Sequence, residues 1–212
     1  MADNFLEKRY EEVFGSGKKV VKKVGGVSLD SLLLRNRSHR GYSQGQPVTM
    51  EQLLAIAGVN DKIPSARNQQ VLRFRLVTAD TGGREVLKHI KLGGALPELH
   101  LPFPGTGPEA FIVICTTVPE SKYVDIDLGI SLQSMLLKAV EIGLNGIAIG
   151  AFDKEAVKEL LGLPLEPALL VAIGKGVEKI QLTRIAPYES HSYYRKDGIH
   201  YVPKIHLDDL LV

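Results

Sequence analysis

The sequence predicts a mixed α and β domain, and three observations carry that prediction. Helix-capping residues stand at Ser28, Thr49 and Asp153. Apolar or alternating runs with strand character occupy Leu72 to Thr78, Phe111 to Thr117 and Ala168 to Gly174. Helical patterns fill the chain between the last two runs. With 212 residues, 44% of them hydrophobic and 24% charged, the chain is long enough for one well-packed core and shows no internal repeat or linker that would divide it. The expected organisation is an N-terminal helix and basic arm over residues 1 to 27, followed by a single domain over residues 28 to 212.

The arm opens with an amphipathic pattern from Asn4 to Phe14 and continues into GSGKKVVKKVGG. Four of its lysines fall within six positions between glycines, a pattern most simply read as a solvated face. Ser28 is placed to cap a helix carrying Leu29, Leu32, Leu33 and Asn36, because its hydroxyl can accept from the first free amides. Thr49 and Gln52 have the spacing of a capping box, for a helix through Leu53, Leu54 and Ala57 that stops at Gly58. Asp153 can cap KEAVKELL, which Gly162 and Pro164 end.

The longest helical pattern is VDIDLGISLQSMLLKAVEIGLNG. Its polar residues Asp127, Ser131, Ser134, Lys138, Glu141 and Asn145 recur at spacings of four and three, drawing one narrow stripe along a surface that is otherwise largely apolar. A helix apolar around most of its circumference must be covered on several sides. A second subunit supplies that cover in one reading; a position deep inside a monomer supplies it in the other.

Composition narrows the function classes. A net charge of +2 argues against a general nucleic-acid binder. The single cysteine, Cys115, cannot form an internal disulfide and sits in the apolar run FIVICTT, where an inert core thiol is expected. The N-terminal residues lack the apolar stretch of a secretory signal, and no window is long enough to span a membrane, so the expectation is a soluble cytoplasmic protein.

Two polar clusters could carry chemistry. RNRSHRGY, residues 35 to 42, gathers Arg35, Arg37, Ser38, His39 and Arg40, and planar guanidinium forks suit the oxygens of a phosphate. PSARNQQ, residues 64 to 70, places serine, arginine and amide side chains immediately before a strand, where each amide offers both a donor and an acceptor to a polar ring. Gly146 and Gly150 in GIAIGAF mark either a tight turn or a close approach of a flat ligand to backbone. His191, His200 and His206 lack a compact metal-ligand spacing and read as packing or hairpin residues.

NRSHRGY, PVTMEQLL, PSARNQQVLRF, DIDLGISLQSMLLKAVEIGLNGIAIGAFDKEAVKELLGLP and VAIGKG stand in the order found in the nitroreductase family of FMN-dependent oxidoreductases, which the chain resembles over residues 28 to 212. The resemblance implies an α+β, three-layer sandwich: a mostly antiparallel sheet flanked by helices, in an intertwined homodimer with FMN in two interface pockets. It assigns Arg37, Ser38 and Arg40 to the phosphate signature and Lys204 to its C-terminal cation. Ser65, Asn68 and Gln70 would read the flavin's polar edge and ribityl chain, and Ile149, Gly150 and Ala151 would pass near the reactive side of the ring. The signature's first Arg is Asn36 here, which leaves Arg35 to substitute for it, and the Pro-Trp that often follows the loop is Val71-Leu72.

The implied reaction is ping-pong: NADH or NADPH gives a hydride to FMN and leaves, and a small-molecule acceptor of nitroaromatic, quinone or enone type takes the electrons. A flavin-binding or redox-sensing module without turnover is the alternative. A basic adaptor acting through KKVVKK is the reading from another class.

Overall fold

The computed structural model describes residues 26–212; the expected helix at Asn4 to Phe14 and the KKVVKK stretch lie outside the described residues. The first helix, α1, spans Leu29–Arg35, and the Ser28 hydroxyl accepts from the Ser31 N–H at 3.2 Å. Helix α2 spans Met50–Ala57 and has both limbs of its capping box: Gln52 N–H donates to Thr49 Oγ1 at 3.2 Å, and Thr49 N–H donates to Gln52 Oε1 at 2.9 Å. The chain does not stop turning at Gly58 but adds a 3-10 turn through Asp61.

Four strands form the central sheet: β1 (Leu72–Val77), β2 (Ala110–Thr116), β3 (Asn145–Ile149) and β4 (Glu166–Gly174). Their order is β1-β2-β4-β3 and every pairing is antiparallel. The sequence anticipated β1, β2 and β4, whereas GIAIGAF gave too short a signal to mark β3. Helices cover both faces, which accounts for the unbroken apolar character of β2. On one face, Ile112, Ile114, Val171 and Ile173 pack against Leu53 and Ile56 of α2 and against Met135 and Ala139 of the long helix α4, Lys122–Glu141. On the other, Phe111, Val113, Leu170 and Ala172 meet Val86 of the short helix α3, Gly83–Val86, and Val157 and Leu161 of α5, Lys154–Leu161. The result is the expected three-layer α+β sandwich. Cys115 lies in the second core with its thiol pKa raised by burial, the state of a core thiol.

Helix α4 is shorter than its apolar pattern suggested. Gly143 takes a left-handed φ of 82°, and the Leu144 N–H turns back to the Ala139 carbonyl at 2.8 Å. This glycine-terminated ending releases Asn145 into β3. The polar stripe divides, with Asp127 and Ser131 buried and Glu141 exposed, and apolar Ile126 on another side of the helix is 45% exposed. Helix α1, with three consecutive leucines, buries none of its residues within the chain.

A second, smaller sheet has the order β5-β7-β6, where β5 is Lys179–Ile185, β6 is Tyr194–Lys196 and β7 is Ile199–Ile205. Its β6 to β7 hairpin turns through Asp197 and Gly198, both at positive φ, and buries His200 against Tyr193. Among the described residues, no helix is long and apolar enough to cross a membrane.

Candidate functional site

The arginine cluster is fixed to the outer edge of the central sheet. Ser38 forms a parallel bridge with Gly146 at the start of β3, and the His39 N–H donates to the Gly146 carbonyl at 3.4 Å. Gly146 answers to packing here. A Cβ at that position would lie 2.7 Å from both the Ala172 carbonyl oxygen and Leu136 Cδ2. Gly150, at the far end of the strand, faces open space.

Arg37, Ser38, Arg40 and Lys204 line one cleft of about 200 Å³, together with Asn36, Tyr193 and His200. Arg40 is only 9% exposed. Its guanidinium donates to the Ser38 carbonyl at 3.2 Å and to the Tyr193 hydroxyl at 3.4 Å, and lies 5.1 Å from the Tyr193 ring centre. Arg37 donates to the Leu33 carbonyl, and its Nε is buried without a partner. Arg35 does not line this cleft; it lines a neighbouring one of about 340 Å³ with His39 and Lys175, and Arg37 borders both. The expected substitute for the missing first arginine thus stands in the cleft next to the one that holds Arg40 and Lys204.

Glu178 organises the cluster from beneath. Its buried carboxylate accepts from the Arg40 and Gly41 backbone N–H groups and from the Arg195 guanidinium. Burial lowers the pKa values of His39 and His200 below the ordinary imidazole range, the Glu178 carboxylate opposing this and neighbouring cations adding to it. Neither Glu178 nor Tyr193 stood out in the sequence, since each is a lone residue whose role depends on β5 and the β6 hairpin folding back on residues 38 to 42.

The amide-rich loop lies elsewhere. Arg67, Asn68 and Gln70 have φ values of 52°, 54° and 50°, three non-glycine residues in the left-handed region within four positions. Such conformations cost ~1–3 kcal/mol each, concentrate at functional sites and persist where their surroundings hold them. The Gln70 N–H donates to Ser65 Oγ at 3.2 Å, and Gln70 Nε2 donates to Asn68 Oδ1 at 3.2 Å. Ser65 and Gln70, but not Asn68, line a cavity of about 130 Å³ with Asn60, Asp127 and Ser131. Asp127 Oδ1 accepts from the Ala66 N–H at 2.8 Å, tying the loop to α4.

Within one chain the two clusters line separate cavities. The loop contacts α4 at Asp127, whereas Asn36 of the Arg40 and Lys204 cleft donates to Gln133 at 3.4 Å, roughly 9 Å further along the axis and on another side of the helix. The third predicted segment shares an edge strand with the cations. Ile149 turns its side chain into the core, and Gly150 and Ala151 emerge exposed at the end of β3. From Gly146, which holds Ser38, to Gly150 is about 13 Å of edge strand at roughly 3.3 Å per residue.

A family model described as the nitroreductase family matches residues 33–175. The chain belongs to the nitroreductase family. A protein of Methanocaldococcus jannaschii, provisionally named a nitroreductase, is 26% identical over 185 residues, covering 72% of this chain and 93% of that protein. Among solved structures, a nitroreductase family protein of Streptococcus pneumoniae superposes with a TM-score of 0.60 at 17% identity, over 76% of this chain and 96% of its own. A nitroreductase-type protein of Exiguobacterium sibiricum, solved in complex with FMN, gives a TM-score of 0.58 at 19% identity, over 74% and 92%. At these identities the solved structures share the nitroreductase fold, and the family match places Arg35, Arg37, Ser38, Arg40, the loop at 64 to 70, α4 and β3 inside the family's region.

Proposed function

We propose that the protein is an FMN-dependent oxidoreductase that takes a hydride from NADH or NADPH and passes the electrons to a small-molecule acceptor of nitroaromatic, quinone or enone type in a ping-pong cycle. The observation that carries this reading is the edge of β3. The cleft of Arg37, Ser38, Arg40 and Lys204 lies at one end of that edge and the exposed Gly150-Ala151 backbone at the other. A phosphate in the cleft with a ring beside Gly150 and Ala151 fits their separation of about 13 Å.

FMN, when bound, would supply the two-electron chemistry. The chain's own residues bind and orient it. Arg37 brings a buried, unpartnered Nε to the cleft, and Lys204 brings a flexible charge from β7. Arg40 is already held by Ser38 and Tyr193, so it offers its charge without having to be reoriented. The Ser65, Asn68 and Gln70 loop supplies amide and hydroxyl groups for the ring's polar edge, with Asn68 acting through its bond to Gln70.

Because the loop and the cations line separate cavities of one chain, the reading uses a homodimer in which one subunit's loop closes over its partner's cleft. Exposed Leu29, Leu34, Leu54, Tyr123 and Ile126 on α1, α2 and α4 offer the apolar surface for that pairing. In this arrangement α4 would be covered on its remaining sides.

The test is the visible spectrum of purified protein after FMN addition and desalting, followed by anaerobic addition of NADH or NADPH. Retained flavin absorbance that bleaches with a nicotinamide nucleotide, and recovers with an acceptor, is the expected result. Retained flavin that neither nucleotide bleaches would instead favour the binding module. No retained flavin would overturn both.

A further inference from the structure

Helix α4 carries a buried carboxylate that an apolar packing helix does not need. Asp127 is 4% exposed, and among the described residues it receives one hydrogen bond, from the Ala66 N–H to Oδ1 at 2.8 Å. One turn further on, Ser131 is fully buried and donates to Asn60 Oδ1 at 2.6 Å; Asn60 Nδ2 in turn donates to the Ala57 carbonyl at 2.8 Å. One turn earlier, the Tyr123 ring lies 5.9 Å from the Arg67 guanidinium. Three residues at four-residue spacing thus grip both ends of the segment between α2 and β1.

The gripped segment is the strained one. Ala66 immediately precedes the left-handed Arg67 and Asn68. A buried carboxylate accepting a backbone N–H makes a charge-assisted bond, stronger than a neutral acceptor would make. Burying a carboxylate also carries a desolvation penalty that a single neutral side chain would avoid. The residue therefore costs the fold more than an asparagine would, while facing the same cavity as Ser65 and Gln70.

We infer that Asp127 is a positioning residue with two effects: it holds the Ser65 to Gln70 loop in its strained conformation, and its negative charge makes a ring bound at that loop harder to reduce. The second effect rests on the flavin reading above. A hydride added to a neutral ring leaves one negative charge on it, as the nicotinamide donor becomes oxidised. A fixed carboxylate in the adjoining cavity opposes that charge in a site where screening by water is reduced.

The two effects separate experimentally. In the cofactor-free protein, hydrogen exchange at the Ala66 to Gln70 amides should accelerate at least tenfold in Asp127→Ala, while Asp127→Asn, which keeps an acceptor oxygen, should restore most of the protection. Unchanged exchange in Asp127→Ala would overturn the positioning role, whether or not flavin binds. In the FMN-loaded dimer, Asp127→Asn should shift the flavin's equilibrium with a reference dye about tenfold toward the reduced form, close to 30 mV for a two-electron couple. An unchanged potential in a variant that retains flavin would overturn the charge effect while leaving the flavin reading intact. Wild-type protein that binds no FMN would overturn the flavin reading and the charge effect with it, and leave the exchange result to decide the clamp.

Discussion

Arg35, Arg37 and Arg40 look alike in the sequence, and folding gives each a different place. Arg40 is buried against Tyr193, Arg37 is half-buried with a free Nε, and Arg35 faces the adjoining cleft. Their contributions to phosphate binding should therefore be unequal. Lys204→Ala and Arg37→Ala should each weaken FMN binding roughly 10- to 100-fold, the scale of ~1.5–3 kcal/mol for a hydrogen bond to a charged group. Arg35→Ala should change it less than threefold. Arg40→Ala should weaken FMN retention and leave the dimer intact, with some loss of thermal stability because the Ser38 carbonyl and Tyr193 hydroxyl lose their donor. Fluorescence titration with FMN checks all four variants. Equal losses in Arg35→Ala and Lys204→Ala would show that the two clefts act as one site.

At the scale of elements, α4 does two jobs with one sequence. Val124, Met135 and Ala139 pack into the chain's own core, Asp127 and Ser131 hold the loop and Asn60, and Ile126 is left exposed. The apolar pattern shows that such a helix needs cover on several sides, but periodicity cannot say which cover belongs to the same chain. Ile126→Asp tests this division. It should leave the monomer's core intact, raise the dimer dissociation constant at least tenfold, or about 1.4 kcal/mol, and reduce flavin retention in parallel. Sedimentation at several protein concentrations reads the first effect, and a variant that stays dimeric at all of them would move the interface away from α4. The capping sites at Ser28, Thr49 and Asp153 are local devices, and each forms its hydrogen bond in the structure. The ends of α4 and the start of β3 were less legible, because Gly143 and a five-residue strand compete with a continuous apolar run.

At the scale of the whole molecule, stability should depend on pH through two buried histidines. His39 and His200 have folded-state pKa values below the ordinary imidazole value, chiefly because burial disfavours their charged forms. Below about pH 6.5 the unfolded chain takes up protons that the folded protein does not, so the unfolded state binds more protons and stability falls as pH falls. The loss should level off only below the depressed folded values. Thermal denaturation between pH 7.5 and 5 should show this decline in Tm, and His200→Gln should flatten part of it. A variant with the wild-type slope would remove His200 from the account. Since His200 borders the Arg40 cleft, a phosphate group held there would favour its charged form, and the acid loss should be smaller with FMN bound.

The sequence by itself determined the helix caps at Ser28, Thr49 and Asp153, three of the four central strands, the mixed α and β character and the order of motifs that resembles the nitroreductase family. These are local or linear properties: a cap needs three residues, a buried strand needs a run, and a family pattern needs order along the chain. Only the tertiary structure decided that Arg35 stands outside the cleft of Arg37, Arg40 and Lys204, that Glu178 anchors residues 40 and 41, and that Asp127 grips the loop at Ala66. Each of those facts joins residues tens of positions apart or more, or separates neighbours, and sequence spacing does not encode distances set by packing a helix or hairpin against a sheet.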